Sequence, residues 1–70
     1  MQDIIKRLFE EQEELNVKIN KLKDFLDGEK IKELDAKQQE LLNRQYSVMW
    51  EYKCILNERT ALILKEEEEK

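Results

Sequence analysis

Gly28 is the only glycine in a 70-residue chain that has no proline. Nothing else in the sequence forbids a continuing helix, so this one break divides the chain into two helical segments. Before it, Ile5, Leu8, Gln12, Leu15, Ile19, Leu22 and Leu26 recur at spacings of three and four. That is one face of a helix, with Gln12 as its single polar position. Asp3 is placed to cap the start, and Asp27-Gly28 to stop it with glycine in the left-handed conformation. The first helix is expected over residues 3–27.

After the glycine, Ile31 and Leu34 stand three apart, which predicts a turn with a short helix over residues 28–35. Asp35 with Gln38 three residues later has the capping-box pattern that opens a helix. No breaker stands between Asp35 and the glutamate run, and a long second helix is expected over residues 36–65. The glutamates at 66–69 then fall at the negative end of the helix dipole, so residues 66–70 are expected as a frayed acidic tail.

The second helix is more apolar than a two-helix hairpin requires. Leu42, Gln45, Met49, Tyr52, Leu56, Arg59 and Ile63 form one seam, Leu41, Val48, Ile55 and Leu62 widen it, and Tyr46, Trp50, Cys54 and Ala61 add a further row. Only Arg44, Glu51, Glu58 and Lys65 leave a polar strip, so one partner helix cannot cover the rest. A chain this short also needs a staple, because ordering it costs on the order of 100 kcal/mol. Cys54 is the only cysteine and there is no histidine, which excludes an internal disulfide and argues against structural zinc. Self-association remains. The fold class expected is therefore all-α: one domain, an antiparallel helical hairpin with a short connecting helical turn, assembled into a symmetric homo-oligomer around the second helix. Met49, Trp50 and Cys54 are read as interface packing, Cys54 as an inert buried thiol.

Charge narrows the partners. The net charge is −4, and the four glutamates at 66–69 account for all of it. Residues 1–17 carry −3, whereas residues 18–32 carry +2 around Gly28, from Lys18, Lys21, Lys23, Lys30 and Lys32 against Asp24, Asp27 and Glu29. A pI near 4.9 excludes a stripe for long DNA or RNA, whose affinity comes from many phosphate contacts. No apolar run approaches the roughly 18 residues of a membrane span, and residues 1–15 are too charged for a signal peptide. The expected setting is the cytoplasm.

Catalysis has nothing to work with: no histidine, no nucleophile beside a base, no phosphate loop, no paired carboxylates in a cleft. No enzyme activity, cofactor or metal is expected. Binding residues are easier to name. Gly28 frees the backbone where the turn from Glu29 points N–H groups outward among Lys23, Lys30 and Lys32, which suits a phosphate. The plain alternative is a glycine cap with lysines in water. Phe9, at the edge of the first seam, either packs on the partner helix or stands out as a stacking surface, and Phe25 is similar. Gln45 and Arg59 on the second seam either set register and hydrogen-bond between subunits, or Arg59, repeated by symmetry, holds an anion.

The series Leu15, Ile19, Leu22, Phe25, Leu26, then Gln39, Leu41, Leu42, Gln45, Met49, Tyr52, Ile55, Leu56 and Arg59 resembles a family of small phage proteins. These are the anti-CBASS cyclic-oligonucleotide sponges, which sequester the signal molecules of bacterial immunity, and the resemblance spans residues 8–64. It implies a helical hexamer that holds cyclic dinucleotides, uncleaved, in pockets between paired protomers near the first helix and turn, with cyclic trinucleotides in separate pockets near the long helices. The first pocket of that family uses a stacking ring, a lysine and a small hydroxyl residue. Phe9 matches the ring and Lys30 the charge, but no Ser or Thr lies near the turn. Arg59 matches the trinucleotide site. The setting implied is the cytoplasm of an infected bacterium. The alternative to a decoy is a structural or adaptor coiled-coil protein without a small-molecule ligand; a small transcriptional regulator fits the acidic balance poorly.

Overall fold

The computed structural model describes residues 2–68, which form two α-helices joined by a single 3₁₀ turn. Helix α1 spans Gln2–Asp27, the 3₁₀ turn Lys30–Glu33 and helix α2 Ala36–Glu68. Asp3 therefore lies inside the first turn of α1 and does not cap it. At the other end α2 runs on through residues 66–68 in place of the expected frayed tail; residues 69 and 70 fall outside the described chain.

The connection is built from local hydrogen bonds. Gly28 donates its N–H to the Phe25 carbonyl at 3.2 Å, but its φ is not positive, so the left-handed cap expected there is absent. What requires a small residue is crowding: a Cβ on Gly28 would sit 3.3 Å from the Asp24 carbonyl oxygen. Lys32 and Leu34 donate to the carbonyls of Glu29 and Ile31, each at 3.1 Å, and Ile31 buries its side chain under the turn. Leu34 is extended, at φ −85° and ψ 154°, which ends the turn and presents Asp35 to α2. The Asp35 carboxylate accepts from the Gln38 N–H at 2.8 Å, as a cap does. The reach back to the preceding stretch of chain comes from Gln39, whose Nε2 donates to the Leu34 carbonyl at 2.8 Å, and not from Gln38.

The hairpin is a rod of 54 × 15 × 14 Å, only two helices thick, so its core is a single layer. Leu8, Leu15, Ile19 and Leu56 fill it, with Tyr46, Met49 and Ile63 packed against them. Every position of the α1 seam is at least half-buried, Gln12 included. On α2 the seam is rotated from the one expected. Leu42, Tyr46, Met49, Lys53, Leu56, Thr60 and Ile63 face α1, while Gln45, Tyr52 and Arg59 are exposed. The reason lies opposite: Gln12 in the α1 seam needs a polar partner, and Thr60 supplies one in a small volume. Its Oγ1 accepts from Gln12 Nε2 at 2.7 Å and donates to the Leu56 carbonyl at 2.8 Å. An arginine in that position would bring a buried charge with no counter-ion.

One helix thus covers one face of α2, and large side chains remain in solvent on its flanks. Leu41, Val48, Trp50, Tyr52, Ile55, Leu62 and Leu64 are each 40% exposed or more. Cys54 is exposed on the single chain as well, on a flank of α2 turned away from α1.

Candidate functional site

The residues singled out as ligand-binding do not converge within one chain. Phe9 is in the third turn of α1, whereas Gly28 and Lys30 lie beyond the far end of that helix, roughly 27 Å away at 1.5 Å per residue. Arg59 is on α2 at the level of Gln12, since Gln12 bonds its neighbour Thr60. It lies on the other side of the hairpin from Phe9. Arg59 is one heptad beyond Tyr52, Tyr52 donates its hydroxyl to the Glu11 carboxylate, and positions 9 and 11 are roughly 200° apart around α1.

Phe9 does not pack into the hairpin. It is 49% exposed and forms the floor of an open groove along α1 with Ile5, Lys6, Gln12 and Asn16, edged by Glu10 and Glu13. Helical spacing explains the grouping, because positions 5, 9, 12 and 16 repeat on one flank and 6, 10 and 13 on the next. The groove offers a ring face, one ammonium and the Asn16 amide, the Gln12 Nε2 being held by Thr60. All of its lining comes from α1, so it can enclose only one side of a ligand. Lys6, not Lys30, is the cation that shares this surface with Phe9. Its sequence position, one turn before Phe9, was the available signal.

At the turn, one lysine has an acidic neighbour. Lys32 pairs with Glu29 at 3.3 Å, and Glu29 sits directly before the 3₁₀ turn. The Gly28, Lys32 and Leu34 N–H groups are already engaged. Lys30 stands in solvent.

A second aromatic group lies on α2. Tyr46 meets Trp50 edge to face, centroids 6.4 Å apart at 81°, and the Lys53 ammonium lies 4.6 Å from the Trp50 ring centroid. Trp50 is 42% exposed on the single chain, while Tyr46 packs against the hairpin core.

A family model described as Sequestin matches residues 2–62 of the chain. No curated protein matches significantly, nor does any solved structure.

Proposed function

The chain belongs to the Sequestin family, whose name fits the holding of a molecule, and from that premise we propose that it sequesters cyclic oligonucleotides, di- or trinucleotides, without cleaving them. In the cytoplasm of an infected bacterium this would withdraw the second messenger from a CBASS-type defence and so protect a phage. The observation that carries the reading, beside the family, is the half-exposed Phe9 ring in its groove next to Lys6. A nucleobase stacks on the ring, the Asn16 amide meets its polar edge, and Lys6 meets a phosphate. Glu10 and Glu13 repel the rest of the phosphate charge, which directs it out of the groove toward a second wall.

That second wall comes from another copy of the chain, since a rod 15 Å thick has no enclosed interior of its own. The proposed assembly is a symmetric homo-oligomer, a hexamer by the resemblance. Across such an interface Lys30 remains the candidate for the charge of the dinucleotide pocket and Arg59 the candidate for a trinucleotide site; one chain brings neither to Phe9. Mass action is the mechanism: each ligand held is one fewer for the effector. To compete at submicromolar signal the site needs about −10 kcal/mol, which stacking and charge-assisted bonds in a preformed pocket supply.

Calorimetric titration with a panel of cyclic di- and trinucleotides tests this. Submicromolar binding of at least one member, weakened tenfold or more by Phe9→Ala and by Lys6→Ala, is the expected result. Lys30→Ala and Arg59→Ala, made separately, should impair different ligand classes. Silence across the panel would leave a structural coiled-coil protein as the better account.

A further inference from the structure

Gln12 belongs to two places at once. It lines the groove beside Phe9, and its Nε2 reaches α2, where it donates to Thr60 Oγ1 at 2.7 Å and lies 3.4 Å from the Leu56 carbonyl oxygen. Thr60 decides which end of the amide points there. Its single hydroxyl proton goes to the Leu56 carbonyl at 2.8 Å, so Oγ1 has only lone pairs left to offer Gln12. A flipped amide would set Gln12 Oε1 against two oxygens with no proton to give. With Nε2 committed, Oε1 is the polar atom that Gln12 has left for the groove. No side-chain nitrogen or oxygen sealed from solvent lacks a partner among the described residues, so this oxygen lies open to the groove that Gln12 lines.

We propose that Gln12 sets base specificity in this groove. Its Oε1 is a fixed acceptor that selects, on the Phe9 ring, a base with an exocyclic amine, adenine or cytosine, over one with a carbonyl oxygen at that position, hypoxanthine or uracil. This rests on the nucleotide-binding reading above and deepens it by naming the class of base. An unrestrained glutamine would not discriminate, because its amide turns over to offer N–H to a carbonyl or oxygen to an amine. Thr60 removes that freedom. An amine at the base edge meets a lone pair, whereas a carbonyl oxygen meets another oxygen and gives up its water without gaining a donor. The ring N–H of hypoxanthine or uracil does not compensate, since it stands beside that same carbonyl oxygen. Asn16, one turn further along α1, is not tied to Thr60 and can present either end of its amide. Thr60 itself is buried behind Gln12 and acts only through it, as a positioning residue.

Calorimetry on the intact chain tests this with ligands of equal size and charge: cyclic di- and triadenylate against their deaminated, hypoxanthine-containing counterparts. The adenine ligand should bind roughly fivefold more tightly, the worth of one hydrogen bond in an open site. Thr60→Val frees the Gln12 amide and should bring that ratio close to one, while Thr60→Ser keeps the hydroxyl and should keep the preference. A ratio of two affinities on one variant does not change with the fraction of chain that is folded, so a folding defect cannot imitate its collapse. Without any ligand, nuclear magnetic resonance should find both Gln12 Nε2 protons close to the Thr60 side chain and exchanging with water more slowly than those of Asn16. Equal affinity for the two bases, a preference that survives Thr60→Val, or Gln12 amide protons that exchange as fast as those of Asn16 would each overturn the proposal. Binding of both bases without preference sinks the selectivity alone; silence from every cyclic oligonucleotide sinks the nucleotide reading and the selectivity with it.

Discussion

Gln12 of α1 donates its side-chain amide to the Thr60 hydroxyl of α2 at 2.7 Å, inside an otherwise apolar layer. The same amide lies 3.4 Å from the Leu56 carbonyl, which also accepts the Thr60 hydroxyl. Apolar contacts tolerate a slide of one helix past the other, whereas this group is satisfied at one register only. Removing either partner leaves a desolvated polar group. Thr60→Val or Gln12→Leu should each cost about 1–3 kcal/mol, and the double variant less than the sum of the two. Urea unfolding at one fixed protein concentration measures the cycle, fixed because assembly shifts apparent stability.

Leu56 is fully buried and touches the same knot. Leu56→Ala should cost about 2–5 kcal/mol, much of what so small a domain has. The expected readout is a clear loss of helical signal at 25 °C. Truncation at an exposed position such as Leu62 should instead leave the helical signal of the hairpin intact.

Much of this fold could be read from spacing alone, because the information is local. The α1 seam, the break at Gly28 and the cap at Asp35 each depend on residues within one or two turns. The α2 seam could not be read the same way. Two stripes lie side by side on that helix, and both satisfy the three-and-four rule, so periodicity does not say which one faces α1. The choice fell to Gln12, a residue 48 positions away from Thr60. The site suffers from the same limit: Phe9 and Lys30 each have the right chemistry, but only the hairpin shows that the length of α1 separates them. What a second copy brings together is encoded on exposed faces, which one chain does not resolve.

Asp35 is the sole side-chain cap seen at the start of α2, accepting from the Gln38 N–H at 2.8 Å. Asp35→Ala should destabilise the hairpin by about 1 kcal/mol, and Asp35→Asn or Asp35→Ser should recover most of it. Denaturant midpoints compare the three directly.

Gly28 tests the geometry of the turn. Since its φ is not positive, Gly28→Ala avoids the penalty of a left-handed alanine and has only to ease the 3.3 Å approach to the Asp24 carbonyl. A change within about 1 kcal/mol is expected, because alanine also restricts the unfolded chain. Thermal unfolding reports it, and a much larger loss would mean that glycine serves there through a left-handed conformation after all.

Sequestration itself is tested most directly by tracking the ligand rather than the protein. The chain is incubated with a limiting amount of the cyclic oligonucleotide it binds best, free ligand is removed through a filter, the protein is heat-denatured, and the released material is quantified by chromatography. The account predicts near-complete depletion of free ligand in proportion to protein, and then full recovery of the intact cyclic molecule. Ligand that stays free, or that returns linearised, would contradict it.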